Sequence, residues 1–298
     1  MKKTLLFLLF IQTFTSFGLA QASELGVPIR FDYDGDGRAD LSVFRPSEGI
    51  WYIQHFSILG LKTYQFGLNG DKPVPADYDG NEKTEIAVYR PSNGTWYIRN
   101  NDGGYTEIPF GLPDDIPVPA DYDGDRKVEI AVFRPSNGTW YIYNQHNNQF
   151  SYFRFGLDGD IPVPADYDGD RKADVAVFRN GMWYLQQSRD GFTAINFGLA
   201  GDKPVPSYYG GFDIKADLAV FRPSNRVWYA LRSREGFTAM QFGLSDDKPI
   251  PTDYDGDGLT DFAVYRDGTW HIQKSREGYV SFEFGNADDI PTPNSFIR

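Results

Sequence analysis

The sequence predicts an all-β fold, a β-propeller of six four-stranded blades. Three observations point to it. The six tryptophans, Trp51, Trp96, Trp140, Trp183, Trp228 and Trp270, recur at spacings of 45, 44, 43, 45 and 42 residues, a period that belongs to solenoids, propellers or arrays. Each interval holds four short runs of β-branched and aromatic residues separated by Gly, Pro, Asn and Asp, and a run with its turn takes about 11 residues, the spacing of all-β folds. No helical period occurs beyond the N-terminal stretch. A lone four-stranded sheet of about 45 residues would be marginal and leave two open edges. Six such sheets set radially bury one another's faces. An open β-solenoid is the competing architecture.

The third unit shows the order of elements. Ile116-Pro-Val-Pro119 opens it, followed by Asp121-Tyr-Asp-Gly-Asp125, the run Glu129 to Arg134 and the turn Pro135-Ser-Asn-Gly138. Thr139 to Tyr143, a polar turn from Asn144 to Gln149, and Phe150 to Gly156 complete it. Proline lacks the N–H that a central strand donates, so the Pro-Val-Pro run belongs at a sheet edge. The edge lining a propeller's channel is such a place. We label this inner strand A and the next three B, C and D. In a meander the A–B and C–D turns share one face of the ring, and the B–C and D–A turns share the other. The A pattern occurs seven times, from Gly26-Val-Pro-Ile29 to Ile290-Pro-Thr-Pro293, and the other elements six times. This predicts six blades with a terminal strand taking part in closure; seven blades with an incomplete last one is the alternative.

Residues 1–22 stand apart from the repeats. Lys2 and Lys3, the apolar run Leu5 to Ile11 and the small-residue signature Ala20-Gln21-Ala22 read as a secretory signal peptide cleaved after Ala22. A secreted, extracellular or periplasmic protein is therefore expected, with residues 23–298 as a single domain. The apolar run is too short to span a bilayer comfortably and no other stretch is long enough, so no membrane span is expected. The absence of cysteine excludes disulfides, thiol catalysis and Cys-zinc sites.

The A–B loops carry the chemistry. They are Asp32-Tyr-Asp34-Gly-Asp36-Gly-Arg38-Ala-Asp40, Asp77-Tyr-Asp79-Gly-Asn81-Glu-Lys83-Thr-Glu85, Asp121-Tyr-Asp123-Gly-Asp125-Arg-Lys127-Val-Glu129, Asp166-Tyr-Asp168-Gly-Asp170-Arg-Lys172-Ala-Asp174 and Asp253-Tyr-Asp255-Gly-Asp257-Gly-Leu259-Thr-Asp261. Each places oxygen side chains at positions 1, 3, 5 and 9, and alternate residues of a tight turn point inward around one hard cation. Calcium takes 6–8 oxygens, several of them carboxylates, with carbonyls and waters completing the shell. The position-7 carbonyl, from Arg38, Lys83, Lys127, Lys172 or Leu259, is the expected backbone ligand. An EF-hand is excluded, because position 12 is Val43 in the first loop and Val264 in the last rather than Glu. Asp/Gly-rich turns also form without metal, but five copies at fixed spacing favour five Ca²⁺ ions. The second loop is weakened by Asn81, and the fifth unit, with Ser207-Tyr-Tyr-Gly-Gly-Phe-Asp213, is expected to be empty.

Other residues recur in register. Arg45, Arg90, Arg134, Arg179, Arg222 and Arg266 close strand B, while Asp71, Asp115, Asp160, Asp202, Asp247 and Asp289 precede strand A. Both sets fall on the face away from the metal loops, either as Arg–carboxylate pairs tying blades together or as a polar ring that binds sugar or an anion. The Trp–Tyr step of strand C suggests inter-blade core, with carbohydrate stacking as the alternative. Asn93 and Asn137 match the glycosylation sequon but read more simply as hairpin turns. Ser188, Ser233 and Ser275 open a Ser-Arg-acid-Gly turn expected to be solvated. His55, His146 and His271 share no repeat position, although His271 replaces a strand-C tyrosine, and no catalytic constellation is present.

The combined pattern resembles the FG-GAP/VCBS repeat family, relatives of the integrin α-chain propeller. Phe66-Gly67, Phe110-Gly111, Phe155-Gly156, Phe197-Gly198, Phe242-Gly243 and Phe284-Gly285 supply the Phe-Gly pairs, and an A–B loop follows the first five about ten residues later, the one after Phe197-Gly198 being the degenerate one. The likeness covers nearly all of 26–298, although Phe-Arg-Pro, as at Phe44-Arg45-Pro46, stands where the family has Gly-Ala-Pro. The resemblance implies a calcium-bearing propeller, often seven-bladed, in extracellular adhesion or recognition, with lectins among related propellers.

Charge supports the same picture. The 41 acidic and 29 basic residues give −12, which argues against a nucleic-acid partner. Nineteen of those acids are the expected loop ligands; setting them and the signal lysines aside leaves 22 acids against 27 bases. The expected function is a binding module for an extracellular protein or glycan, and the alternative is an extracellular carbohydrate-active enzyme, a lyase or hydrolase on the same scaffold.

Overall fold

The computed structural model describes residues 31–56, 60–210 and 213–294. The signal-peptide expectation and the Gly26–Ile29 run lie outside them. Six four-stranded antiparallel sheets form a β-propeller. Among the described residues the helical content is two 3-10 turns, Pro135–Asn137 and Thr292–Asn294.

In the third blade strand A is Ile116–Pro117, B is Ile130–Arg134, C is Thr139–Asn144 and D is Gln149–Arg154, paired in that order. Strand A stops its ladder at two residues, opposite Phe133 and Val132, because its second proline has no N–H to give. Strand D is exposed at all six positions. It is the outer edge, and A is the inner one, as the prolines require.

The ring closes with the C-terminus. Ile290–Pro291 pairs with Phe44 and Val43, so the first blade consists of Leu41–Arg45, Ile50–His55, Gly60–Gln65 and this last strand. The seventh A pattern is thus the inner strand of blade 1, and the count is six blades.

Strand B is buried on both faces, which explains its unbroken apolar sequence. Ala131 and Phe133 pack with Trp140 and with Val175 and Val177 of blade 4, while Ile130 and Val132 pack against Trp96 of blade 2. Strand C alternates: Trp140 is fully buried and Tyr141 partly exposed. All six tryptophans are at most 1% exposed and donate Nε1–H, at 2.7 to 3.1 Å, to the carbonyl of the Phe-Gly phenylalanine of their own blade. They are inter-blade core. The glycine of that pair is required: Gly111 has φ of 131°, and a Cβ there would lie 2.6 Å from the Tyr89 hydroxyl.

The recurring arginines pair as forks. Arg134 donates Nε and Nη2 to Asp115 at 2.8 and 2.9 Å, and its guanidinium lies 4.4 Å from the centroid of the Tyr141 ring. The same pair forms in every blade. Each aspartate sits in the D–A connection and also accepts a backbone N–H, as Asp115 does from Leu112 at 2.8 Å. The clamp therefore holds each blade to the chain arriving from the preceding one, and Arg45–Asp289 makes the same clamp across the ring closure.

Candidate metal centres

The A–B loops are folded by their own carboxylates. In the third loop Asp121 accepts the backbone N–H groups of Gly124 (2.6 Å) and Arg126 (2.9 Å), Asp123 that of Asp125 (3.1 Å), Asp125 that of Lys127 (2.9 Å) and Glu129 that of Tyr122 (2.7 Å). The loops starting at Asp32, Asp77, Asp166 and Asp253 repeat the position-1 contacts. Asp and Asn accept from backbone two or three residues ahead, which curls the chain and leaves positions 1, 3, 5 and 9 around a common centre. The tyrosine between the first two aspartates anchors the loop: Tyr122 donates its hydroxyl to the Val118 carbonyl at 2.7 Å, and Tyr78, Tyr167 and Tyr254 do likewise.

The structure brings four of the expected side-chain ligands together in the third loop and three in each of the first, second and fourth. Oxygens of Asp121, Asp123, Asp125 and Glu129 lie within 4.8 Å of one another, as do those of Asp32, Asp34 and Asp36, of Asp77, Asp79 and Glu85, and of Asp166, Asp168 and Asp174. Position 7 places its backbone N–H on the position-5 oxygen, from Arg38, Lys83, Lys127, Lys172 and Leu259. Asn81 serves in that role as its aspartate counterparts do.

These carboxylates are held where ionisation is unfavourable. Burial pushes Glu129 and Asp261 up to about 8, Glu85 up to about 7, and Asp174 and Asp253 up to about 6, with neighbouring carboxylates adding to the rise and backbone N–H groups opposing it. Two buried oxygens, Oδ1 of Asp40 and Oδ1 of Asp255, have no hydrogen-bond partner among the described residues. A hard cation would satisfy both features: all donors at positions 1, 3, 5 and 9 are oxygens, and such sets suit Mg²⁺, Ca²⁺ or Mn²⁺ rather than softer ions. The donor set fits the expected group.

The fifth loop keeps only part of the pattern. Ser207 bridges Asp217 as Ala165 bridges Asp174, so Tyr208, not Ser207, stands at position 1, and Gly210 at position 3. Positions 5 and 9 survive as Asp213 and Asp217: Lys215 donates its N–H to Asp213 and Tyr209 to Asp217. Two of the four acids are missing.

The serines that open the C–D turns are exposed, as their composition suggests, and they also reach the A–B loops. Ser188, Ser233 and Ser275 donate Oγ–H to the position-5 carboxylates of Asp170 (2.6 Å), Asp213 (2.8 Å) and Asp257 (2.8 Å), and their N–H groups reach Asp174, Asp217 and Asp261, each at 2.7 Å. Sequence reading also passed over the last residue of strand C. His55 lies with Nδ1 3.0 Å from Asp40 and 3.6 Å from Asp34, and Asn144 donates Nδ2 to Asp123 and Glu129. The available signal was a register, four residues after each tryptophan.

Finally, the loops are linked into a circle. The N–H at position 8 of each loop donates to the position-1 carbonyl of the preceding one: Thr84 to Asp32, Val128 to Asp77, Ala173 to Asp121, Ala216 to Asp166, Thr260 to Tyr208 and Ala39 to Asp253, at 2.6 to 2.9 Å.

Fold and loops together define a β-propeller assembled from carboxylate-loop repeats. Residues 77–132 and 121–177 match the model of the FG-GAP-like repeat, and over this span the recurring unit is an FG-GAP-like repeat. No curated protein matches the chain. Solved structures with a similar fold include virginiamycin B lyase from Staphylococcus aureus, at 9% identity and a TM-score of 0.54, with 86% of this chain and 88% of that one covered. A lectin from Agrocybe aegerita that recognises non-reducing terminal N-acetylglucosamine matches at 13% identity and a TM-score of 0.54 over 87% and 92% of the two chains. At such identities the likeness is one of fold.

Proposed function

We propose that this protein is an exported, calcium-stabilised propeller that acts as a recognition module for an extracellular protein or glycan. The observation that supports recognition is a girdle of exposed apolar side chains. Leu61, Tyr105, Phe150, Phe192, Phe237 and Tyr279 are 54 to 62% exposed, and each sits on strand D opposite the residue three after its blade's tryptophan. Aromatic side chains offer large contact area at low entropic cost. The third blade is densest, with Phe150, Tyr152 and Phe153 all exposed and the Tyr141, Phe150 and Tyr152 rings grouped at centroid distances of 6.2 to 6.4 Å. Calcium is supported by the convergent, poorly ionising carboxylates and by the two unsatisfied oxygens; export rests on residues 1–22.

A glycan array that includes glycans ending in N-acetylglucosamine, run with calcium and with EDTA, tests the reading. Binding that weakens in EDTA and in a Phe150→Ser/Tyr152→Ser variant is expected. Silence on the array moves the assignment to a protein partner, and release of unsaturated or reducing sugars from a bound glycan replaces it with the enzyme reading.

A further inference from the structure

In five blades the residue four positions after the tryptophan ends strand C, and in four of them its contacts place it against that blade's A–B loop. Asn144 donates Nδ2 to Asp123 at 2.7 Å and to Glu129 at 3.1 Å, and His55 lies 3.0 Å from Asp40. Lys274 is 8% exposed, donates to Glu277 at 2.6 Å and immediately precedes Ser275, which bonds Asp257 and Asp261 of the sixth loop at 2.8 and 2.7 Å. In blade 5 the position belongs to Arg232. A Cβ on Gly210 would lie 3.0 Å from its Nη1 and 3.1 Å from its Nε. That Nε is buried without a hydrogen-bond partner among the described residues, while the guanidinium reaches Glu235. Gly210 stands where the other loops carry the position-3 aspartate, so the arginine lies where that carboxylate would be, beside a loop that keeps only Asp213 and Asp217.

A second pattern runs alongside. The position-7 side chains of Arg38, Lys83, Lys127, Lys172 and Lys215 lie over the position-4 glycine of the preceding loop, Gly256, Gly35, Gly80, Gly124 and Gly169. Blade 6 has Leu259 there, so the fifth loop receives no charge from its neighbour and carries its own.

We propose that the strand-C terminal residue sets each loop's demand for a divalent cation. Arg232 is a tethered cation that makes the fifth loop metal-independent. Lys274 weakens the sixth loop relative to the third and fourth, whose counterparts Asn144 and Gln187 are neutral. The inference rests on the loops being cation sites. A fixed positive charge beside four carboxylates competes with a divalent ion for the same field, whereas beside two carboxylates it suffices. A unit charge a few ångströms away in a partly buried site changes an ion's affinity by about tenfold or more.

The test is the occupancy of each loop, read from calcium anomalous difference peaks in crystals of the protein equilibrated against graded CaCl₂ up to about 10 mM, above the range of extracellular sites. The third and fourth loops are expected to fill first, the sixth at a calcium concentration about tenfold higher, and the fifth not at all. Lys274→Gln should bring the sixth loop's half-filling point into line with the third and fourth. Arg232→Gln should lower the melting temperature more in EDTA than in calcium, because with the guanidinium gone the fifth loop depends on a divalent ion to offset Asp213 and Asp217. A calcium peak in the fifth loop of the unaltered protein, or a sixth loop that fills together with the third and is unmoved by Lys274→Gln, overturns the proposal. Five loops that stay empty throughout overturn the cation reading itself, and a loss for Arg232→Gln that is the same in calcium and in EDTA refutes the arginine's role alone.

Discussion

Replacing Asp289 with asparagine isolates the ring closure. The aspartate is fully buried, takes Nε and Nη2 of Arg45 at 2.8 and 3.0 Å, and accepts the Asn286 N–H at 3.0 Å. It precedes a closing strand only two residues long, Ile290–Pro291. Removing one partner of a buried pair costs about 3–5 kcal/mol. Here the Arg45 side chain keeps 20% exposure, so water can solvate part of it, and asparagine retains one acceptor. We therefore expect a loss of about 2 kcal/mol. For a fold of roughly 260 residues, with an unfolding entropy of about 2.1 cal/mol/K per residue, this lowers Tm by about 4 °C. Differential scanning calorimetry in saturating calcium reads it, with Asp71→Asn as the control, since Asp71 makes the same fork with Arg90 inside a continuous chain. Asp289→Asn should lose at least as much as the control. A shift below about 1 °C for Asp289→Asn beside a full loss for Asp71→Asn would falsify the view that this clamp carries the closure.

Three further outcomes are expected. Trp140→Phe leaves the Phe155 carbonyl without its 2.8 Å donor and opens a void at a fully buried position, which should cost about 2–3 kcal/mol in chemical denaturation. Arg126→Gly relieves a residue held at φ of 69° and should be neutral or stabilising by up to about 1 kcal/mol, whereas alanine at Gly124 (φ 84°) should destabilise. In EDTA, Tm should fall as pH rises from 5 to 8.5: with Glu129 and Asp261 pushed up to about 8 and Glu85 up to about 7, the folded state holds protons that an unfolded carboxylic acid gives up near pH 4, so stability is highest below that value and drains away until the folded groups ionise. Saturating calcium should flatten or reverse that slope, and a flat EDTA profile would contradict the burial of these carboxylates.

The blade was legible because its signals are covalent or periodic. Proline in strand A, glycine in the Phe-Gly pair and the tryptophan period each dictate a backbone event, and the structure places all three where the sequence implied. Positions 1, 3, 5 and 9 of the loops were legible for the same reason, since a tight turn fixes which side chains converge. What escaped were contacts between elements distant in the chain. Ser188 looked like an ordinary turn residue because its partner, Asp170, lies 18 residues away across the C–D and A–B turns. His55 looked like an isolated histidine because its role follows from the strand-C register. The register of the fifth loop, which its sequence leaves open, is decided by the β-bridge from Ser207 to Asp217.

The circle of loop-to-loop hydrogen bonds bears on how the protein would respond to losing the cations proposed for its loops. Asp121 folds its own loop with its side chain and receives Ala173 of the next blade on its carbonyl. A distorted loop therefore disturbs its neighbour through one residue, and five separate local transitions are a poor expectation; one cooperative transition is the better one. Blade 5 shows that the backbone link and the carboxylate are separable, for Tyr208 accepts from Thr260 at 2.8 Å without offering an acid. The ring can thus dispense with a metal ligand at one blade while keeping its circle of hydrogen bonds intact. If the loops hold cations as proposed, the arginine beside that loop would offset its two remaining acids, while the other five loops carry three or four acids each.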